Sequence, residues 1–264
     1  MNYISEDFHI HYLPSYKLYV NSDLLEDQIV VVDDNNEVLV YSSYNNETPS
    51  LQATKILSLP FEKVYISLPH ENLIFIPTEV FENSDINLFK DFFINDIQDV
   101  KSVELKDQNI TALYELDPST NYLWSTIFSK TKIVPSFVTL LNNAFLHLDN
   151  SLDLLGVHFS GNQADIYLFI NGEFRLYNTY EVQTPDDLSY YVLNIIKNYS
   201  IEGKFQKIIL SGVDIHSEWG TTLSYYSKEL VKLESDNRWK TSNIEVQEKI
   251  KGLSTLNELE LCEL

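Results

Sequence analysis

The chain has 264 residues, 44% of them hydrophobic, and its 39 acidic side chains outweigh 18 basic ones to give a net charge of −21. That length allows one large domain or two smaller ones with a sizeable core. So acidic a field repels phosphate backbones, and Arg175 and Arg238 are the only arginines for bidentate phosphate recognition. Direct nucleic-acid binding and docking on anionic membranes are therefore not expected, which leaves an unidentified protein partner.

No run approaches the roughly 18 apolar residues of a membrane span. The start, Met1 to Asp7, also lacks the basic and apolar regions of a signal peptide, so a cytoplasmic protein is expected. The single cysteine, Cys262, rules out an internal disulfide framework or a cysteine-based zinc site.

In chain order, residues 17–20 read as a strand, followed by a polar loop from Asn21 to Asp27. Two β-rich runs at 28–32 and 37–41 then flank the turn Asp33-Asp34-Asn35-Asn36. Thr48 is an expected N-cap, with Pro49 at the first position of a helix over about 50–59. Residues 61–67 close this block with a strand that ends on Ser67. A strand at 72–77, a helix at 83–97, a strand pair at 99–105 and 109–116, and helices at 119–130 and 135–148 follow.

The opening block then recurs. Tyr41-x-x-Tyr44-x-x-x-Thr48-Pro49 reappears 136 residues later as Tyr177-x-x-Tyr180-x-x-x-Thr184-Pro185, and Phe61-x-Lys63 reappears 144 residues later as Phe205-x-Lys207. In the second copy a strand at 154–159 precedes runs at 164–170 and 173–177 that flank Asn171-Gly172, a type I′ hairpin signal. Leu188, Tyr191, Val192, Ile195, Ile196 and Tyr199 form an apolar helical stripe. The continuous apolar run at 207–211 reads as a buried strand parallel to the hairpin.

This duplicated order resembles the ribonuclease-H-like halves of the actin, sugar-kinase and heat-shock chaperone ATPase superfamily. The resemblance implies an α/β fold with two mixed-sheet halves, 1–150 and 151–264, and an interdomain cleft. Within it, Leu68-Pro69-His70-Glu71-Asn72-Leu73-Ile74-Phe75-Ile76-Pro77 with Thr78-Glu79-Val80-Phe81, together with the tail Leu261-Cys262-Glu263-Leu264, resembles the uncharacterised bacterial family of domain of unknown function 3822. That family's resemblance implies the actin-like fold and no established activity.

The superfamily resemblance implies a nucleotide between the halves, held by loops that place an acid near magnesium and by glycines that let backbone N–H groups approach phosphates. The seven glycines lie at 156, 161, 172, 203, 212, 220 and 252, where average usage would put roughly ten in the first 155 residues alone. Ser22 and Asp23 occupy the first loop; Asp23 or Asp27 offers a cation ligand, although acids in a polar hairpin are ordinarily just solvated.

Where the resemblance implies an acid followed by glycine, the second loop reads His158-Phe159-Ser160-Gly161-Asn162, either a small anion-binding turn or an ordinary Gly-Asn turn. After the parallel strand, Ser211-Gly212-Val213-Asp214 keeps one glycine of an implied pair. The expectation is a degenerate nucleotide site without cofactor or hydrolysis, in a non-catalytic binding or scaffold protein. A weak or specialised nucleotide-binding ATPase or kinase-like protein is the alternative.

Other constellations carry less. His9-x-His11 has metal-compatible spacing without a clear third ligand, and the run from Asp33 lacks the glycine and glutamate of a calcium loop, so no metal site is expected. Trp219, Tyr225, Tyr226 and Trp239 form a candidate partner surface, to be weighed against simple packing.

Overall fold

The runs rich in valine, isoleucine and tyrosine become strands in the computed structural model, which describes residues 1–81, 83–93, 98–148, 153–233, 238–253, 256 and 259–260. The chain divides into two compact units, Met1–Asn142 with Asp236–Leu264, and Asn143–Ser235.

The first unit contains β1 (Asn2–Ile4), β2 (Lys17–Ser22), β3 (Glu26–Val32), β4 (Val38–Asn45), α1 (Leu51–Leu57) and β5 (Lys63–Leu68). It continues with β6 (His70–Pro77), β7 (Lys101–Leu105), β8 (Ile110–Leu116), α2 (Pro118–Ile127) and β9 (Thr131–Pro135), and α3 (Ser136–Leu146) leads into the second unit. There β10 (Leu154–Ser160), β11 (Gln163–Ile170), β12 (Glu173–Glu181), α4 (Pro185–Asn198), β13 (Phe205–Ser211), α5 (Glu218–Ser224) and β14 (Ser227–Lys232) follow; α6 (Ile244–Lys251) returns to the first.

The two main sheets share a strand plan. In the first, the order is β1-β4-β3-β2-β5-β9; in the second, β12-β11-β10-β13-β14. An antiparallel meander (β2-β3-β4 or β10-β11-β12) is extended on its first strand by parallel β5 and β9, or by β13 and β14.

Register confirms the repeat. Lys17 pairs with Lys63 as Leu154 pairs with Lys207, Val30 with Tyr41 as Tyr167 with Tyr177, and Asp27 with Tyr44 as Ala164 with Tyr180. Both meanders also bulge at the same place, between Val31 and Val32 and between Leu168 and Phe169. Asn171 and Gly172 both have positive φ (53° and 77°), as a type I′ turn requires.

Several local expectations change. Thr184 caps α4 with a reciprocal Asp187 capping box and Pro185 at the start, but α1 is capped by Ser50, whose side chain accepts from Ala53 N. Thr48 is instead part of a turn in which its N–H donates to Asn45 O at 3.1 Å, so the helix begins later. The helix expected over 83–97 is a 3₁₀ helix at Asn83–Phe92, its first residues Asn-Ser-Asp-Ile-Asn being poor α-helix formers; 94–97 lie outside the described residues. The parallel outer strands β9 and β14 were not foreseen. A third sheet, β6-β8-β7, holds the expected strand pair.

The segment after 235, expected in the second half, packs with the first instead. Lys240 is the physical cause: its O accepts from Val38 N and its N–H donates to Asn36 O, both at 2.8 Å, while Lys17 Nζ contacts Glu260 Oε1 at 2.8 Å.

Candidate functional site

The loops to which the superfamily resemblance points sit at the carboxyl ends of the parallel strands in each unit. In the first, Asn21 and Ser67 are paired neighbours at the ends of β2 and β5. Ser22 turns inward and donates to Asp27 Oδ1 at 2.7 Å, with both residues buried. Tyr44 stands opposite Asp27 on β4. Burial pushes the Asp27 carboxyl up from its ordinary range, more than the Ser22 and Tyr44 hydroxyls pull it down.

At the hairpin tip Asp23 Oδ1 accepts from Leu24 N at 2.7 Å, and Asn46 Nδ2 donates to the carbonyls of Asp23 and Leu24, each at 3.1 Å. Exposed Leu24 and Leu25 form the tip itself. Ser22 and Asp23, neighbours in sequence, are thus engaged differently, one inward and one along its own turn.

In the second unit His158 and Ser211 take the positions of Asn21 and Ser67, and His158 Nδ1 lies 2.8 Å from Ser211 Oγ. Ser160 pairs with Gln163 across a two-residue turn of Gly161 (φ 57°) and Asn162. That turn is tied to the end of β12: Asn162 O accepts from Val182 N at 2.8 Å and Asn162 Nδ2 donates to Glu181 Oε1 at 3.3 Å.

Gly212 has φ 82°, and a Cβ there would fall 2.0 Å from the Phe159 carbonyl oxygen, so close backbone approach to β10 demands glycine. Asp214 Oδ1 accepts from His216 N at 2.7 Å and its carbonyl from Ser217 N at 3.0 Å, in the turn that leads to Ser217, the N-cap of α5. Ser160, Gly161, Asn162, Gly212 and Asp214 therefore all lie at or just beyond the ends of β10 and β13. Among the described residues, no group of three or more His, Cys, Asp or Glu side chains is placed to hold a metal ion.

The aromatic set expected as a partner surface is divided. Trp239 is 3% exposed and packs 5.1 Å from the Tyr19 ring in the first unit. Trp219 tilts over Phe159 at 4.9 Å, and with Tyr226 it packs on the second unit's core. Only Tyr225, 69% exposed, offers an open ring. Apolar area decided this outcome, because a tryptophan gains more by burial than by display.

A feature not foreseen lies on the same unit. The face of β12 and the side of α4 form a cavity of about 650 Å³ that includes Tyr180, Tyr190, Tyr191, Tyr199, Asn194 and Asn198. Its sequence signal was available in Leu176-x-Asn178-x-Tyr180 and in Tyr190-x-x-x-Asn194-x-x-x-Asn198, a strand period and a helix period of polar and aromatic residues. The apolar stripe of α4 runs beside it and hides it.

The sequence profile described as "Protein of unknown function (DUF3822)" matches residues 5–230. The chain belongs to the DUF3822 family. A solved structure of a protein with actin-like ATPase fold and unknown function, from Bacteroides thetaiotaomicron, is similar to this DUF3822 chain with a TM-score of 0.73 and 16% identity, covering 97% of this chain and 99% of the other. The PilM–PilN type IV pilus biogenesis complex is similar with a TM-score of 0.62 and 11% identity, covering 93% and 97%. No curated protein matches the DUF3822 chain by sequence. It has the actin-like ATPase fold; identities this low carry the fold and nothing further.

Proposed function

We propose that this DUF3822 protein is a non-catalytic binding or scaffold protein on an actin-like fold, with a degenerate nucleotide site. The observation that carries the reading is the strand-end pair His158 and Ser211. Where the superfamily implies a carboxylate for magnesium, this chain has a histidine hydrogen-bonded to its neighbour at 2.8 Å. The matching position in the first half is Asn21, an amide.

The remaining loop residues fit a magnesium nucleotide poorly. The first loop has no glycine and turns Ser22 into a buried pair with Asp27, and Gly212 is accounted for by its contact with Phe159. Further support comes from PilM, a protein of this fold that occurs in a complex with PilN. A net charge of −21 favours a basic partner.

Incubation of the pure protein with magnesium and ATP is expected to give no phosphate release above background. Protein-dependent release that is lost in Asp23→Asn or Ser160→Ala overturns the proposal. A ligand at 100 times its Kd stabilises a fold by about 2.7 kcal/mol, so a thermal-shift series over nucleotides tests the enzyme-class alternative, which a specific shift would favour.

A further inference from the structure

The strand-and-helix cavity of the second unit is built unlike a core defect. Among the described residues no charged side chain lines it, and its walls alternate tyrosine rings with side-chain amides. Tyr180 and Tyr191 stack with centroids 4.2 Å apart and planes at 25°, while Tyr190 meets Tyr191 nearly edge-on, at 5.4 Å and 70°. Tyr190 is 63% exposed. Asn178 Nδ2 donates to the Tyr180 hydroxyl at 3.1 Å, and the Tyr199 hydroxyl donates to Arg175 O at 3.3 Å, which fixes both rings.

We propose that this groove binds a proline-rich segment of a partner protein in the polyproline II conformation, with a basic residue beside the prolines. Such ligands dock in aromatic-lined grooves because their backbone is already extended and loses little entropy on binding. The dimensions agree. Residues 176–180 of β12 span about 13 Å, and Tyr190 to Asn198 on α4 about 12 Å, room for roughly four residues at ~3.1 Å each.

Asn194 and Asn198 lie one helical turn apart, a rise of about 6 Å. Both amides can donate, and a proline segment offers backbone carbonyls to accept from them while its prolines have no N–H to satisfy. Asp186, exposed and one turn before Tyr190 on the same side of α4, supplies the charge for the basic residue.

Other occupants fit less well. An added β-strand would pair with the backbone edge of β12, whereas the groove lies on the strand's face and offers side chains. A second copy of this chain lacks the ligand, because its eight prolines are all isolated from one another.

This inference deepens the binding role proposed above, and its test is independent of phosphate release, so either can fail alone. Calorimetric titration of the full chain with an oligoproline peptide flanked by lysines is expected to show saturable binding. A Gly-Ser peptide of equal length and charge and a malto-oligosaccharide are expected not to bind. Tyr190→Ala and Asn194→Ala should each weaken the oligoproline affinity by about tenfold or more, as loss of a central contact does, while Tyr190→Phe preserves it. Tyr190 is largely exposed, so its variants should fold, which circular dichroism checks. Absence of oligoproline binding, equal binding of the Gly-Ser peptide, binding of the sugar alone, or affinity unchanged in both alanine variants overturns the proposal.

Discussion

Gly156 and Tyr167 face each other across β10 and β11, and the tyrosine ring occupies the space over the glycine: a Cβ at 156 would lie 1.8 Å from the ring. The equivalent pair in the first unit is Tyr19 opposite Val30. The two halves thus place the large side chain on opposite members of the same strand pair, and each keeps the other member small. A duplicated sheet can hold its layer spacing this way while its sequence diverges.

Gly156→Ala is therefore expected to destabilise the protein by about 3 kcal/mol through overpacking. In a Tyr167→Val background the same change should cost much less, so that a double-mutant cycle by urea denaturation gives a clear favourable coupling. Equal costs in both backgrounds would contradict the packing account.

Gly212→Ala should cost more than about 2 kcal/mol, because it adds a steric clash with the Phe159 carbonyl to a positive-φ penalty. Gly203 has φ 78° with open space around it, so Gly203→Ala should cost only about 1 kcal/mol. Thermal denaturation of the two variants side by side measures the difference.

Two carboxylates should give pH dependences of opposite sign. Burial raises the folded pKa of Asp27 above its unfolded value, so its unfavourable effect is absent at low pH and develops as pH rises through the folded pKa. Asp27→Asn is expected to gain stability relative to the native protein between acidic and neutral pH.

Glu260 is the converse. Burial opposes its ionisation, but Lys17 and the Tyr19 hydroxyl overcome that and hold its carboxyl below the usual range. Its contribution is present above the unfolded pKa and is lost as pH falls through the folded one. Glu260→Gln should cost at most about 1 kcal/mol at neutral pH, since the pair is partly exposed, and nothing in strong acid. Urea melts across this pH range report both effects, and parallel profiles for the two variants would refute the assignments.

The caps give a further check on the two copies. Thr184→Ala and Ser50→Ala should each cost about 1 kcal/mol, while Thr48→Ala should be close to neutral. Denaturant midpoints decide it. A large effect at Thr48 would return the cap to the residue that the repeat alone suggests.

What the sequence by itself determined was local and periodic. The Asn171-Gly172 turn, the Thr184-Pro185 start of α4 and the apolar stripe behind it each arise from residues within a few positions of each other, and the recurrence of Tyr41 and Tyr44 at 177 and 180 shows as a fixed spacing. Turn φ angles, caps and hairpin register are short-range physics, and they were sufficient to mark the repeated unit; the actin-like fold and the family were reached by resemblance. Tertiary structure alone decided the rest. It drew Trp239 onto Tyr19 and Glu260 onto Lys17, placed β9 and β14 as outer parallel strands, tied His158 to Ser211, and set Tyr180 of a strand against Tyr191 of a helix. Each of these depends on strand order and on which surfaces are buried together, and no nearby residue encodes that: Tyr19 and Trp239 meet only because the chain returns, after a whole second unit, to the sheet where it began.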